Sequence, residues 1–282
     1  MLEANWFDKE NAHVYEQCGF WTCSWPKEPT KIKWNKEVKE NYEIAVVTEG
    51  YFTRKFLRKL QAKYKIGWII ESKEIRPKAY KKIRWLSRNF DFVLTHDSEL
   101  VKSGKNFVQV YVGSSRVQDE DVEALFEKKS LVSMIASEKN STTGHRLRHQ
   151  IAKMDLDVDL WGRGYKEFES KRDPLASYYY SIAVMNSSYD YYFTEILIDC
   201  FIYRTIPIFW GCPSIGEIFN PAGIIQFEEL NELPEILDKI SSDDYMKRLE
   251  AVEQNYMIAK NNFMITDDII AEAITNHINP TR

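Results

Sequence analysis

Two hydrophobic periods take turns along this chain. From Glu43 onward, short apolar runs of strand length are followed by stretches whose apolar residues recur every three or four positions. The run "EIAVVTEG" (43–50) is closed by Gly50, and "YFTRKFLRKLQAKY" (51–64) carries Phe52, Phe56, Leu57 and Leu60 at helical spacing. "KIGWIIES" (65–72) predicts a strand, and Pro77 suits the first turn of a helix carrying Tyr80, Ile83 and Leu86. "DFVLTHD" (91–97) and "NFVQVYVG" (106–113) predict two more strands. After an acidic stretch, 118–129, the alternation restarts. It predicts strands over 130–137, 158–164, 180–187, 206–210 and 223–227, and helices over 144–154 and 194–203. The remainder reads as helical over 232–241, 243–262 and 267–277.

Strand alternating with helix implies parallel sheets covered on both faces, an α/β class. Two such blocks predict two Rossmann-like domains facing a cleft, residues 1–126 and 127–266, with the C-terminal helix of 267–282 free to return to the first. Ligands of parallel α/β sheets bind at the carboxyl ends of strands. The informative loops are therefore those after Ile70, Ile135, Val184 and Trp210.

Composition narrows this picture in a few places. At 282 residues, 44% of them apolar and 28% charged, the chain is long enough for two cores of ordinary globular make-up. The net charge of −4, with Lys and Arg between 31 and 88 interleaved at helical spacing, argues against a nucleic-acid partner. Aromatics reach 14%, which fits thick α/β cores as well as carbohydrate or planar-ring partners. No run of ~18 apolar residues is found, so no integral membrane span is expected. The polar, acidic "MLEANWFDKENAH" does not read as a signal peptide, and a cytoplasmic location is expected. Cys18, Cys23, Cys200 and Cys212 lack metal-site spacing and read as reduced thiols, the last two in the core.

Three segments carry chemistry. "SMIASEKNSTTGHRLRHQI" is a strand, a polar loop with Gly144, and a helix whose start bears His145, Arg146, Arg148 and His149. A helix N-terminus offers free N–H groups and a positive dipole end, so a cation there makes sense when an anion arrives to be shared. His145 and His149 have the spacing of a helical metal pair, but no glutamate base and no third ligand accompany them, and no metal site is expected. "DLDVDLWG" alternates Asp155, Asp157 and Asp159, but at the amino end of a strand, the wrong edge for a ligand. "AVMNSSYDYYFTEILIDCF" is strand, loop and helix, with Thr194 placed to cap and Glu195 in the first turn. A carboxylate at such a mouth can accept hydrogen bonds from ribose hydroxyls, and Tyr192 could cover a base.

The order "TE-x-x-IDCF-x-x-x-TIPIFWGCPSI-x-x-x-FNP" resembles the C-terminal donor-binding motif of the α-1,3/1,4-fucosyltransferases, glycosyltransferase family 10, and is closest in flavour to bacterial members. Segment 130–164 is similar too, and "GWIIESKEIRP" followed by "FDFVLTHD" weakly resembles the family's acceptor-side block. The resemblance implies a GT-B fold, a nucleotide-sugar donor (GDP-fucose in the family), a glycan acceptor, inversion at the anomeric carbon, and no required cofactor or metal. It makes residues 1–126 the acceptor side and 127–266 the donor side. By the same resemblance Glu195 contacts the donor nucleotide, with Tyr192, Thr194 and Asn186 beside it, Arg146 holds the diphosphate, and Glu71 is the general base.

The chain departs from the family pattern twice. The family reads Thr-Glu-Lys where this chain has Ile196, and Glu-Asn where it has Met185-Asn186. One lost charge-assisted bond costs roughly 1.5–3 kcal/mol, or about a 10- to 150-fold loss of donor affinity. Lys139, Arg148 and Arg163 are the neighbouring cations available to replace it. The alternative reading is a degenerate, non-catalytic nucleotide- or glycan-binding protein of the same fold.

Overall fold

The computed structural model describes residues 1–8, 19–104 and 106–279, and Cys18 lies outside them. The chain forms two compact units, Met1–Val112 with Ile265–Arg282, and Gly113–Met264.

In the first unit, β1 (Leu2–Phe7), β2 (Ile32–Asn35), β3 (Tyr42–Thr48), β4 (Ala62–Trp68), β5 (Phe92–Thr95) and β6 (Phe107–Gln109) form one parallel sheet in the order β2-β1-β3-β4-β5-β6. Its helices include α1 (Arg54–Lys59), α2 (Pro77–Leu86) and α3 (Ser98–Lys102). The run of Ala45, Val46 and Val47 in β3 is fully buried because both sheet faces are covered. One face packs Leu57, Tyr80 and Ile83 from the helices, and the other holds Trp6, Trp34 and Trp68.

Two differences from the sequence reading lie here. Strands β1 and β2 precede the first expected strand, and they are marked only by the alternation Ala4, Trp6 and Ile32, Trp34. The helix expected over 51–64 ends at Lys59, and β4 begins at Ala62. Thr53 caps α1 by accepting from Phe56 N, and the backbone turns extended at Leu60. Lys63 and Lys65 then alternate with Tyr64 and Ile66, which is strand period and not helix period.

The second unit contains α4 (Asp119–Val122), β7 (Ser130–Ile135), α5 (Thr143–Ile151), β8 (Asp159–Trp161), α6 (Arg172–Leu175), β9 (Tyr178–Val184), α7 (Glu195–Ile202), β10 (Ile206–Trp210), β11 (Ile225–Gln226), α8 (Leu233–Lys239), α9 (Ser242–Lys247) and α10 (Leu249–Asn262). Its parallel sheet has the order β11-β10-β9-β7-β8. Cys200 and Cys212 are buried and free. The division falls at Gly113, ahead of the 126/127 boundary read from the strand pattern, because 115–121 is tied into this unit. Ser115 Oγ and Arg116 N donate to Asp199 Oδ1 at 3.0 and 2.8 Å, and Asp121 accepts from Arg172 and from Tyr203 Oη. Among the described residues no helix is long and apolar enough to cross a membrane.

The last helix, α11 (Thr266–Ile278), belongs to the first unit and is fixed there by its first turn. Asp267 accepts from Thr22 Oγ1 (2.8 Å), Ser24 Oγ (2.7 Å) and Trp34 Nε1 (2.7 Å), and Asp268 accepts from the N–H groups of Thr30 and Lys31 at 2.8 Å. Removing Asp267 would strand several buried donors. Asp267→Ala is expected to cost about 3 kcal/mol. Tryptophan fluorescence during urea unfolding checks this, since Trp6, Trp21, Trp25, Trp34, Trp68 and Trp85 all report on the first unit. A loss under about 1 kcal/mol would show the network to be incidental.

Candidate active site

In the second sheet the chain leaves β7 for β8 on one side and returns to β9 on the other. The two carboxyl ends at this reversal, Ile135 and Val184, open the crevice where such sheets bind ligands. Helix α5 lies against one lip. Gly144 N donates to Asn186 O at 3.0 Å, and a β-carbon at Gly144 would sit 1.7 Å from Met185 O, so only glycine permits this approach. One turn on, Arg148 shares the face of Gly144. Its Nε donates to Val184 O at 2.9 Å and its Nη2 to Asn186 Oδ1 at 2.7 Å. Burial lowers its pKa to about 10, against the opposing pull of Glu195 and Tyr192, so it stays cationic at neutral pH.

Arg148, and not Arg146, lines the cavity at this crevice. Arg146 lies on the opposite side of the helix, is exposed, and donates to Thr143 Oγ1 at 3.0 Å. The α5 amides expected to cradle an anion are also occupied. His145 N donates to the Thr142 hydroxyl and Arg146 N to the Thr142 carbonyl, besides the Gly144 bond. Lys139 and Arg163 are exposed, and the Lys139 carbonyl lies 3.0 Å from His149 Nε2. His145 Nδ1 lies 3.2 Å from Ser141 Oγ. Asp159 accepts from Tyr178 Oη at 2.7 Å at the start of β8.

Helix α7 forms the other lip. Thr194 is its N-cap residue, but the hydroxyl makes no cap bond and points to Met185 Sδ at 3.9 Å. Glu195 and Ile196 line a cavity of about 170 Å³ together with Ser137, Arg148 and Lys171. Tyr192 is 1% exposed and has no free ring face for a base, so the expected covering role fails. Tyr191, half-exposed with φ of 61°, donates its hydroxyl to Glu217 at 2.7 Å. The structure thus brings together Arg148, Asn186 and Glu195, leaves Arg146, Lys139 and Arg163 on the surface, and adds Lys171. No local sequence signal marks Lys171, which precedes the four-residue helix α6.

The first unit has its own reversal, between β1 and β3. Thr48 Oγ1 donates to Phe7 O (3.2 Å) and Asp8 Oδ1 (2.9 Å) across it. The next residue, Glu49, accepts the N–H groups of Ile70 (2.5 Å) and Glu71 (2.8 Å) on one carboxyl oxygen. The Glu71 carbonyl accepts from Tyr80 Oη at 3.0 Å, and that hydroxyl lies 3.3 Å from His96 Nε2. The Glu71 backbone is therefore held from both sides while its side chain stays half-exposed. Burial holds His96 neutral, its pKa near 3. Burial, aided by the Glu71 charge, raises Glu49 to about 7. Sequence reading took Glu49 only as the end of an apolar run.

That shift has a sign. Folded Glu49 keeps its proton up to about pH 7, whereas an ordinary glutamate loses it near 4.5. Its stabilising share is complete below pH 4.5 and is lost as pH rises through 7, a fall of roughly 3 kcal/mol. Glu49→Gln keeps an acceptor for both N–H groups and removes the titration. Urea midpoints at pH 5 and pH 8 are expected to fall for the wild type and stay level for the variant. Parallel profiles would disprove the assignment.

The family profile described as glycosyltransferase family 10 (fucosyltransferase), C-terminal, matches residues 125–270. Over 89 residues the chain is 29% identical to the alpha-(1,3)-fucosyltransferase FucT of Helicobacter pylori, a match spanning 32% of this chain and 17% of that one. A crystal structure of an alpha1,3-fucosyltransferase aligns at a TM-score of 0.58 and 15% identity, over 99% of this chain and 91% of that one. A crystal structure of alpha1,3-fucosyltransferase with GDP-fucose aligns at 0.55 and 15% identity, over 100% and 91%. TarM aligns at 0.58 and 12%, over 86% of this chain and 56% of that one. At these identities the likeness carries the fold, which is GT-B.

Proposed function

The chain belongs to glycosyltransferase family 10, the fucosyltransferases, and on that premise we propose that it moves fucose from GDP-fucose to a glycan hydroxyl with inversion at the anomeric carbon. The carrying observation is the convergence of Arg148, Asn186 and Glu195 on the reversal point of the second sheet. The second unit is the donor side, Glu195 accepts from the ribose hydroxyls, and the diphosphate lies toward Arg148. The first unit is the acceptor side, with Glu71 as base.

In the reaction the bond from C1 of fucose to the β-phosphate oxygen breaks, and its electron pair leaves with GDP. The acceptor oxygen bonds to C1 from the opposite face and gives its proton to Glu71. Arg148 meets the charge that grows on the leaving diphosphate, and because it is already fixed and desolvated it needs no reorganisation. No step calls on a metal or cofactor.

The test is calorimetric titration with GDP, UDP, ADP and CMP in EDTA, followed by transfer from GDP-fucose with the product anomer read by NMR. Micromolar binding of GDP alone and an inverted glycoside are expected. Binding of a different nucleotide would change the donor. No binding to any of them would favour the degenerate protein, which the apolar Ile196 wall of the cavity motivates.

A further inference from the structure

We propose that Lys171 is a donor-binding residue that, together with Arg148, neutralises the diphosphate as it leaves. The proposal rests on the reading of the second unit as the donor side, and it assigns the cation that faces the apolar wall at Ile196. Sequence spacing gives no hint of it, since Lys171 sits between β8 and β9 and is distant in the chain from α5 and α7.

Three charged residues line the α7 cavity, Arg148, Glu195 and Lys171. Two are cations, in a space of about 170 Å³ that runs from Ile135–Ser137 at the end of β7 along β9 to Ser181 and Cys200. Arg148 already spends two of its N–H groups on Val184 O and Asn186 Oδ1. Lys171 is different. Its side chain is only 18% exposed, and its ammonium forms an ion pair with Asp199 Oδ2 at 3.5 Å. That oxygen has no hydrogen-bond partner among the described residues. An ammonium has three N–H donors, so this long contact leaves donor capacity for an incoming group.

Asp199 is built to hold the lysine there. Its other oxygen accepts from Ser115 Oγ (3.0 Å) and Arg116 N (2.8 Å), which fixes the carboxyl group on a fully buried helix position. Burial raises the Asp199 pKa and the Lys171 charge opposes that rise, so the two sustain each other. A pair inside a sealed core would be closed by further hydrogen bonds. This one borders a cavity that Lys171 and Arg148 both line. A group carrying two or more negative charges fits two cations and one flanking carboxylate, provided the carboxylate meets hydroxyls. A nucleoside diphosphate has both parts.

The competing account makes Lys171 only the counter-charge of Asp199. Calorimetry with GDP and with guanosine separates the two, because guanosine carries the base and ribose without phosphate. Lys171→Ala is expected to weaken GDP by about 10- to 150-fold, as one lost charge-assisted contact does, with guanosine unchanged. Lys171→Arg is expected to stay within about threefold of the wild type, since the charge is kept. Ile196 faces the same cavity, so adding Ile196→Lys to Lys171→Ala is expected to recover most of the loss. If Lys171→Ala fails to fold, Lys171→Ala with Asp199→Asn removes both charges and reads the same titration. GDP and guanosine weakening together, or GDP binding unchanged, overturns the proposal. A wild type that binds no nucleotide fails one step earlier, at the donor reading itself.

Discussion

Glu71→Gln is expected to bind GDP as the wild type does and to transfer fucose about 10²- to 10⁴-fold more slowly. The substitution isolates the carboxylate. Glu71 is positioned through its main chain, its N–H held by Glu49 and its C=O by Tyr80, and a glutamine leaves both contacts in place. Neither folding nor the donor side should register the change. The nucleophile would lose the group that takes its proton as it bonds to C1, so the effect belongs in kcat and not in the KM for GDP-fucose. Steady-state transfer with saturating acceptor measures it, and donor hydrolysis by water serves as a parallel reading. A loss under tenfold would remove Glu71 as base. Attention would then pass to the other carboxyl groups at this edge, Asp8 and Glu49.

What could be read from sequence depended on whether one local pattern carried the information. Strands β7, β9 and β10 and helix α7 are strong local signals, because parallel strands covered on both faces leave near-continuous apolar runs, interrupted here by Ser133 in β7 and Ser181 in β9. β1 and β2 are short, alternate polar with apolar, and gain their place only from pairing with β3 and each other. The reach of α1 was overestimated because the pairs Phe52–Phe56 and Phe56–Leu60 keep helical spacing until the chain straightens at Leu60. At the site, Glu195 was visible in the sequence because it opens α7. The choice between Arg146 and Arg148 was not, since it depends on which face of α5 meets β9. Gly144 marks that face, and its i+4 neighbour is Arg148. Glu49 and Lys171 lay beyond sequence reading for one shared reason. Each touches a residue distant in the chain, Glu71 after β4 for one and Asp199 within α7 for the other, and only the fold brings them together.

If Arg148 meets the diphosphate as proposed, its substitution is expected to have the second large effect. Arg148→Met should reduce GDP affinity by at least about 100-fold, the loss of a charge-assisted contact in a desolvated site. Val184 O and Asn186 Oδ1 would also lose their donors, which adds roughly 3 kcal/mol of destabilisation. Arg148→Lys keeps a charge without the planar fork that serves Val184 and Asn186 together, and should fall between the two. Arg146→Ala, on the exposed side of α5, should change GDP affinity by less than about threefold. Calorimetry on the four proteins ranks them, and thermal melts separate lost affinity from lost fold. The pH profile gives an independent reading. With its pKa near 10, Arg148 is charged throughout the neutral range, so donor affinity between pH 6 and 8.5 should show no step from it. If Arg146→Ala proves more damaging than Arg148→Lys, the diphosphate lies on the outer face of α5. The cavity between Arg148 and Lys171 would then have to be emptied of its role.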